Sequence, residues 1–498
     1  MTVKVSSIDR LAGFALVLAT LACSNPPESL VGQTDPGAAA AAAATITPDD
    51  LRVRIGVLAH DSMAGRDTPS AELEQTARYI AARFAEFGLL PAEGNSYLQE
   101  YPLVISGPGP ADQQSLSIEG PGAAPIPASA IVTVPAGRDL RGSGRLVVTT
   151  ASDTGDLRGR IAVLVASQAT AQQALGGIRT VLDRGAAGLI IAVDGPASYF
   201  DGLRRFFGRT SLSVGVPDLL PAPTMLVGMD GLPGAVREAL ASGRSLEAYS
   251  ASLRTTGSIR EAQGFNTIGW IEGSDPELRD EYLVFSAHMD HVGVGRPVAG
   301  DSIYNGADDD ASGTAAIVEL AEAFASFETP PRRSLVFLTV SGEEKGLLGS
   351  EWYAGHPSFP LESTVANLNI DMIGRNWEDT VVAIGRGEST LGHTLESVVA
   401  AHRELGLTMI DDPWPDERFY FRSDHYNFAR NGVPILFFFT GTHEDYHRPS
   451  DEPDRILYDK TARITRLVFH LGLEIADSDS RPEWDPGAYR RVVEGGGR

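Results

Sequence analysis

Four apolar runs in the second half of the chain predict buried β-strands. They contain no charged residue and cover residues 282–287, 335–340, 366–370 and 433–440. Such runs are typical of strands covered on both faces. A helical pattern over 311–327, ended by a Pro-Pro pair, lies between the first two runs. The alternation of strand and helix predicts an α/β fold with a mostly parallel central sheet flanked by helices.

Potential metal ligands stand near the ends of these strands and at the start of the helix. They are, in chain order, His288, Asp309, Glu344, Asp371 and His447. In open α/β sheets, ligands bind outside the carboxyl ends of the strands. We therefore expect these five side chains to converge on one site.

The ligand types favour zinc. Two imidazoles and three carboxylates suit Zn²⁺, with manganese or cobalt as alternatives. Two divalent ions carry four positive charges, of which three carboxylates neutralise three and a bridging hydroxide the fourth. The charge balance therefore favours two ions.

Taken singly, each acidic residue has an ordinary structural explanation. The triplet 308–310 precedes a helix and could cap it, because carboxylates are favoured at helix N-termini. Glu343 and Glu344 could be exposed loop residues. However, three acids in a row exceed what capping needs, and adjacent carboxylates beside a buried strand repel each other unless a cation lies between them.

Five separated motifs carry a resemblance to a known family. They are His288-Met289-Asp290, the segment 306–313, Glu343-Glu344, the segment 369–372 and the segment 446–451. In this order they resemble the di-zinc aminopeptidase family, which is related to glutamate carboxypeptidases and glutaminyl cyclases. The resemblance spans residue 49 to about residue 478.

The resemblance implies a role for each motif residue. Asp309 would bridge two zinc ions, with His288 and Asp371 completing one site and Glu344 and His447 the other. Glu343 would be the general base that takes a proton from metal-activated water. Asp290 would orient His288 as a hydrogen-bonded partner, and Asp451 would do the same for His447.

The implied function is that of an exported zinc-dependent metallo-exopeptidase, an aminopeptidase that hydrolyses N-terminal residues of peptides. A carboxypeptidase or a glutaminyl cyclase on the same scaffold is an alternative, and Arg375, Arg418 or Arg422 could then bind a terminal carboxylate. A noncatalytic peptide-binding receptor is a third possibility. A receptor of this kind would be expected to lack some of the metal ligands or the general base, and the sequence retains all of them.

Further polar residues accompany the last motif. Asp424 could anchor a free α-amino group, and Tyr446 or His425 could stabilise an oxyanion. Loop capping or structural support explains these residues equally well. His291 and His443 are potential additional ligands, but the five-residue set already satisfies two ions.

The N-terminus predicts export. Residues 1–22 read as a signal peptide, with an apolar stretch from Leu11 to Ala22, and the only cysteine, Cys23, follows directly. Cys23 is a candidate lipid anchor, which would place the protein on the periplasmic or extracellular face as a lipoprotein. Ordinary cleavage beside a chance cysteine is the alternative. A single cysteine excludes an internal disulfide. Residues 23–48 are expected to form a flexible tether.

The remaining domain organisation follows from where the motifs are interrupted. The peptidase domain is predicted over 49–107 and 259–480, and residues 481–498 form a tail. Residues 108–258 carry their own strand-like runs and resemble a protease-associated domain inserted into the peptidase, although a small mixed α/β domain of another kind is the alternative. The net charge of −24 disfavours nucleic acids as partners. Peptides are the substrates that the resemblance implies.

Overall fold

The computed structural model describes residues 34–215 and 219–495. The described residues form nineteen β-strands and thirteen α-helices. The strands are β1 (Leu90–Pro91), β2 (Leu98–Pro108), β3 (Ser115–Glu119), β4 (Ile131–Thr133), β5 (Leu140–Val148), β6 (Arg160–Ser167), β7 (Gly188–Asp194), β8 (Ser211–Val214), β9 (Thr224–Gly228), β10 (Ser250–Thr255), β11 (Gly257–Ile271), β12 (Tyr282–His288), β13 (Gly293–Val298), β14 (Asp301–Tyr304), β15 (Ser334–Val340), β16 (Thr364–Ile370), β17 (Thr380–Ile384), β18 (Thr408–Ile410) and β19 (Ile435–Phe439).

The helices lie mostly between these strands. They are α1 (Pro36–Thr45), α2 (Pro48–Leu58), α3 (Ala71–Glu86), α4 (Ala171–Gly176), α5 (Ile178–Leu182), α6 (Ala197–Phe207), α7 (Gly234–Ala241), α8 (Ala311–Ala325), α9 (Leu348–Gly355), α10 (Leu391–Ala401), α11 (His425–Ala429), α12 (Tyr458–Asp477) and α13 (Pro486–Tyr489). Among the described residues, none of these helices is both long enough and apolar enough to cross a membrane.

The larger sheet has ten strands, in the order β18-β17-β19-β16-β12-β15-β11-β2-β8, with β1 paired to β11. Its centre is parallel, because β12 pairs in parallel with both β15 and β16, and β16 pairs in parallel with β19. Strands β11, β2 and β8 are added antiparallel on one side. The predicted α/β fold is confirmed. Its sheet is parallel where the motifs lie and mixed as a whole.

Both faces of the parallel centre are buried, as the apolar runs predict. On β12, Phe285 packs on the side of α8 and α12, where its ring stacks on Phe337 at a centroid distance of 5.4 Å. The neighbouring residue Val284 faces the opposite side, in a cluster with Tyr353 of α9 and Phe428 of α11. Helices on both faces therefore hold the carboxyl ends of β12, β15, β16 and β19 at one edge.

The segment between β2 and β11 builds a second sheet of seven strands, in the order β3-β10-β5-β6-β7-β9-β4. Strands β5, β6, β7 and β9 pair in parallel, and separate apolar clusters cover the two faces. The position of β8 differs from the predicted domain boundaries. This strand lies within the predicted insert, residues 108–258, but pairs with β2 at the edge of the larger sheet.

The chain ahead of the peptidase domain differs from its prediction. The signal peptide and Cys23 lie outside the described residues. The tether prediction is wrong for residues 34–48, because α1 buries Ala42 and Ala43 against the main core. Ile46 is fully buried, and its carbonyl accepts hydrogen bonds from Arg466. An alanine-rich helix is narrow enough to pack closely, which composition alone did not reveal.

Candidate metal centre

The acidic triplet before α8 divides into three different roles. Asp308 accepts a 2.6 Å hydrogen bond from the N–H of Gly374. Asp310 caps α8 by accepting from the N–H of Gly313 at 2.8 Å, and it also accepts from the N–H of His288. These two acids therefore fix the backbone of the motif segments and leave the middle acid free.

The carboxylate of Asp309 faces two imidazoles with its two oxygens. Its Oδ1 lies 3.3 Å from Nε2 of His288. Its Oδ2 lies 3.1 Å from Nε2 of His447. One carboxylate placed between two groups of ligands is the arrangement that a bridge between two cations requires.

On the first side of Asp309, His288 ends β12 and Asp371 follows β16. Nε2 of His288 lies 3.6 Å from Oδ1 of Asp371. The other oxygen, Oδ2, accepts a 2.8 Å hydrogen bond from the hydroxyl of Ser423. Ser423 thus leaves one oxygen of Asp371 directed at His288. The sequence alone did not single out this serine, because nothing in its neighbourhood distinguishes it from a loop residue.

On the second side, Glu344 and His447 meet Asp309. Nε2 of His447 lies 3.0 Å from Oε2 of Glu344. His291, which the charge balance did not require, also lies here, with Nδ1 at 2.8 Å from Oε1 of Glu344. His443 is elsewhere, because its Nε2 faces Asp308 at 3.2 Å. The structure therefore brings together all five predicted ligands and one histidine more.

Several converging atoms are buried and make no hydrogen bond among the described residues. They are Oδ2 of Asp309, Oε1 of Glu344, Oδ1 of Asp371, Nε2 of His447 and both ring nitrogens of His291. Buried polar atoms without partners are costly, and this cost disappears if they bind a cation. Burial also raises the pKa of Asp371. The donor atoms fit divalent zinc in type and arrangement.

Glu343 lies beside this group rather than within it. Its carboxylate falls within 4.8 Å of ligand atoms of His288 and Asp371, and burial raises its pKa. The backbone N–H of Glu343 donates to Oδ1 of Asp290 at 3.2 Å, while Oδ2 of Asp290 accepts from Thr68.

The predicted contacts of the Asp290 and Asp451 carboxylates with His288 and His447 are not formed. Nδ1 of His288 lies 3.1 Å from the backbone oxygen of Asp290 but 3.8 Å from its carboxylate. Asp290 therefore orients His288 through its main chain, because its carboxylate is directed to Glu343. Similarly, Asp451 does not bond His447. Its carboxylate accepts from the N–H groups of Asp308 and Asp309.

A cleft opens in front of the metal-ligand group. Its wall combines the acids with an apolar surface. The lining includes His288, Asp309, Glu343, Asp371, Met372, Phe419, Arg422, Phe437, Phe439 and Tyr446. The ring of Tyr446 stacks on His447 at a centroid distance of 3.9 Å. The cleft can therefore place a peptide between carboxylates and aromatic rings.

The other candidate residues have structural partners. His425 is fully buried, and its Nε2 donates to the carbonyl of Tyr420 at 2.9 Å. Asp424 is also fully buried and accepts from the hydroxyl of Ser350. Neither lines the cleft.

The three candidate arginines are already engaged. Arg375 is paired with Asp445 at 2.8 Å, and Arg418 lies over the ring of Phe421. Arg422 lines the cleft and contacts Glu417 at 3.2 Å. Only Arg422, among these three, is placed to meet a substrate.

Comparison with known proteins identifies the part of the chain that holds this site. Residues 266–472 match the model of peptidase family M28. Aminopeptidase YwaD of Bacillus subtilis is 27% identical over 186 residues, which cover 36% of this chain and 39% of that protein. Leupeptin-inactivating enzyme 1 of Streptomyces exfoliatus is 28% identical over 195 residues, covering 39% of each chain. The match thus spans well under half of the length of either relative.

A solved structure shares the fold over a longer stretch. An aminopeptidase from Aneurinibacillus sp. strain AM-1 superposes with a TM-score of 0.52 at 20% identity, and the match covers 87% of this chain and 95% of that one. At this level of identity the likeness concerns the fold.

Proposed function

Since residues 266–472 match the model of peptidase family M28, we propose that this protein is a zinc-dependent aminopeptidase that removes N-terminal residues from peptides. The observation that carries the proposal is the position of Asp309, whose two oxygens lie within 3.3 Å of the imidazoles of His288 and His447. This carboxylate is placed to join two metal positions in one site.

The chain would hold two ions with its five predicted ligands. His288 and Asp371 serve one position, Glu344 and His447 serve the other, and Asp309 serves both. When bound, zinc polarises the scissile carbonyl and lowers the pKa of water from about 15.7 towards 7. The number of ions rests on the charge balance and on the two-sided contacts of Asp309.

Glu343 moves the proton in this proposal. Its carboxylate accepts a proton at the start of hydrolysis and gives it to the departing amine at the end. Burial raises the pKa of this carboxyl group, which improves it as a proton acceptor in its charged form. The contact between its backbone N–H and Asp290 holds it beside the ligands.

The cleft favours a free amino terminus over a free carboxyl terminus. Its ionisable lining is mainly acidic, and the one arginine in it, Arg422, contacts Glu417. With zinc bound, Glu343 is the lining acid left to attract a protonated α-amine, whereas a terminal carboxylate has to compete with Glu417 for Arg422.

Mass spectrometry of a mixed set of free peptides tests the proposal. Zinc-loaded protein is incubated with the peptides beside a chelated sample and a Glu343→Ala variant. The proposal predicts stepwise loss from the N-terminus that is absent from both controls. Loss from the C-terminus or cyclisation of N-terminal Gln would transfer the assignment to a carboxypeptidase or a cyclase, and untouched peptides would support a receptor.

We further propose that the protein is exported and anchored by lipid at Cys23. The support is the signal-like segment 1–22 directly before the only cysteine. Metabolic labelling with a radioactive fatty acid is expected to mark the wild-type protein and to miss a Cys23→Ala variant. Equal labelling of both, or of neither, would contradict the anchor.

A further inference from the structure

His291 lies on the Glu344 side of the metal-ligand group and is completely buried. Its Nδ1 lies 2.8 Å from Oε1 of Glu344 and 3.5 Å from Oδ2 of Asp309. His447 approaches the opposite oxygen of Glu344 and the same oxygen of Asp309. The rings of the two histidines are 5.5 Å apart and nearly perpendicular. Four side chains thus direct donor atoms into one small volume.

A hydrogen bond does not account for this position. Although Nδ1 of His291 is close to Glu344, neither ring nitrogen makes a hydrogen bond of acceptable geometry with any described residue. A histidine that only oriented Glu344 would direct its N–H along that contact. A cation in front of the lone pair would satisfy this buried imidazole.

The backbone around His291 is built to keep the ring in place. Gly306 has a φ of 58°, and a Cβ at this glycine would lie 2.5 Å from Cγ of His291. The absence of a side chain at Gly306 therefore leaves room for the imidazole beside the loop that carries Asp309. A Cβ at Gly306 would also lie 2.2 Å from the backbone oxygen of Asp309, so a larger residue would displace the loop as well as the ring.

We infer that His291 is a fourth protein ligand of the ion held by Asp309, Glu344 and His447. The inference rests on the proposed function, because it adds a residue to the same centre. It makes the two positions unequal, with four protein ligands on this side and three on the other, from His288, Asp309 and Asp371. Since catalytic zinc sites keep a position free for water or substrate, the His288 side is the more open one.

Metal binding tests the inference separately from activity. Zinc affinity is measured by chelator competition for the wild type, for His291→Ala and for His443→Gln, a buried histidine that faces Asp308 instead. Loss of a hydrogen-bonded partner outside the ligand set lowers metal affinity by about 10-fold to 100-fold. We expect His291→Ala to weaken one of two sites by more than about 100-fold, whereas His443→Gln retains both.

Cobalt substitution distinguishes a ligand from a neighbour. In the ¹H NMR spectrum of the Co²⁺ protein, each coordinated imidazole gives a strongly shifted, exchangeable N–H signal. The inference predicts three such signals in the wild type and two in His291→Ala. A His291→Gln variant, which keeps a polar side chain of similar size but has no imidazole, is expected to lose the same signal.

The possible results separate the two claims. If the wild type binds two ions and cleaves peptides but His291→Ala keeps both affinities and the same shifted signals, the inference is wrong and the proposed function stands. If the wild type binds no zinc, both the proposed function and the inference are wrong. If the His291→Ala protein does not fold, the spectrum of His291→Gln decides, and three shifted signals in that variant overturn the inference.

Discussion

The backbone N–H of Glu343 donates a hydrogen bond to Oδ1 of Asp290 at 3.2 Å. This bond joins the loop after β15 to the loop after β12, two neighbouring parallel strands. It fixes the start of the Glu343-Glu344 segment relative to His288. The position of the proposed base and of the adjacent ligand therefore depends on one carboxylate that binds no metal in this account.

Replacing Glu343 by Gln is expected to lower kcat by about 100-fold or more, because the amide cannot accept the proton. Zinc content should stay at the wild-type level, since Glu343 is not among the proposed ligands. Steady-state kinetics and metal analysis of the same preparation check both. Glu351→Gln, on the exposed side of α9, is the matched control and should keep wild-type rates. A Glu343→Gln enzyme with unchanged kcat contradicts the assigned role.

Two substitutions of Asp290 test its hydrogen bond to the backbone N–H of Glu343. Asp290→Asn keeps an oxygen that can accept from the N–H of Glu343, whereas Asp290→Ala removes it. We expect Asp290→Ala to reduce kcat by about 10-fold to 100-fold, with a smaller effect in Asp290→Asn. KM should change little in either, because the residue does not line the cleft. Equal losses in both variants would show that the negative charge, and not the hydrogen bond, is what matters.

Removal of metal is expected to destabilise the fold as well as to abolish activity. Without a cation, the carboxylates of Asp309, Glu344 and Asp371 face one another in a buried site. Binding to the native state alone contributes about 4 kcal/mol per site when free zinc is 1,000-fold above Kd. Calorimetry of chelated and zinc-restored protein should show a reversible fall in Tm. An identical Tm in both samples contradicts the account.

Arg66 is expected to be one of the most sensitive positions outside the ligands. Its buried guanidinium donates to the carbonyls of Leu58, Met289, Asn305 and Gly306. Arg66→Met leaves these acceptors unpaired beside the ligand loops and should cost about 3 to 5 kcal/mol of unfolding free energy.

Urea unfolding measures this loss. Arg78→Met, which removes only the exposed ion pair with Glu74, should change the unfolding free energy by less than about 1 kcal/mol. Comparable losses in the Arg66 and Arg78 variants would contradict the role assigned to Arg66.

His425 should make the protein sensitive to acid. Burial lowers the pKa of this ring to about 3, below the ordinary value of about 6.5. Between these values the unfolded chain binds a proton that the folded protein does not, so stability is lost as the pH falls from about 6.5 towards 3. From pH 6.5 to 5 the loss from this residue is about 2 kcal/mol.

Unfolding free energies at pH 7 and pH 5 test this contribution. His425→Gln, which retains a donor for the carbonyl of Tyr420, should lose less stability on acidification than the wild type. His393→Gln, at an exposed position, should follow the wild type. The same pH dependence in all three proteins would contradict a buried neutral His425.

The apolar runs predicted the central strands closely because these strands are buried on both faces and need no partner information. The same runs located His288 and Asp371, because the position of a residue at the end of a buried strand is fixed by that strand. The helix α1 escaped prediction because its burial depends on α8 and α12, which are distant in sequence.

Side-chain direction was harder to predict than position. Asp290 lies two residues after His288, but its carboxylate is directed to a backbone N–H contributed by another strand end. His291 was left out of the predicted ligand set because the other residues already balance the charge of two ions. A neutral imidazole does not enter that balance. The spacing from His288 to His291 was visible, yet only the three-dimensional position of Glu344 shows what His291 contacts.

An anomalous difference map from crystals of the zinc-loaded protein, recorded at the zinc absorption edge, tests the central claim most directly. The account predicts two peaks next to Asp309, one against His288 and Asp371 and the other against Glu344 and His447. A single peak, or none in this group of side chains, would contradict a two-ion centre bridged by Asp309.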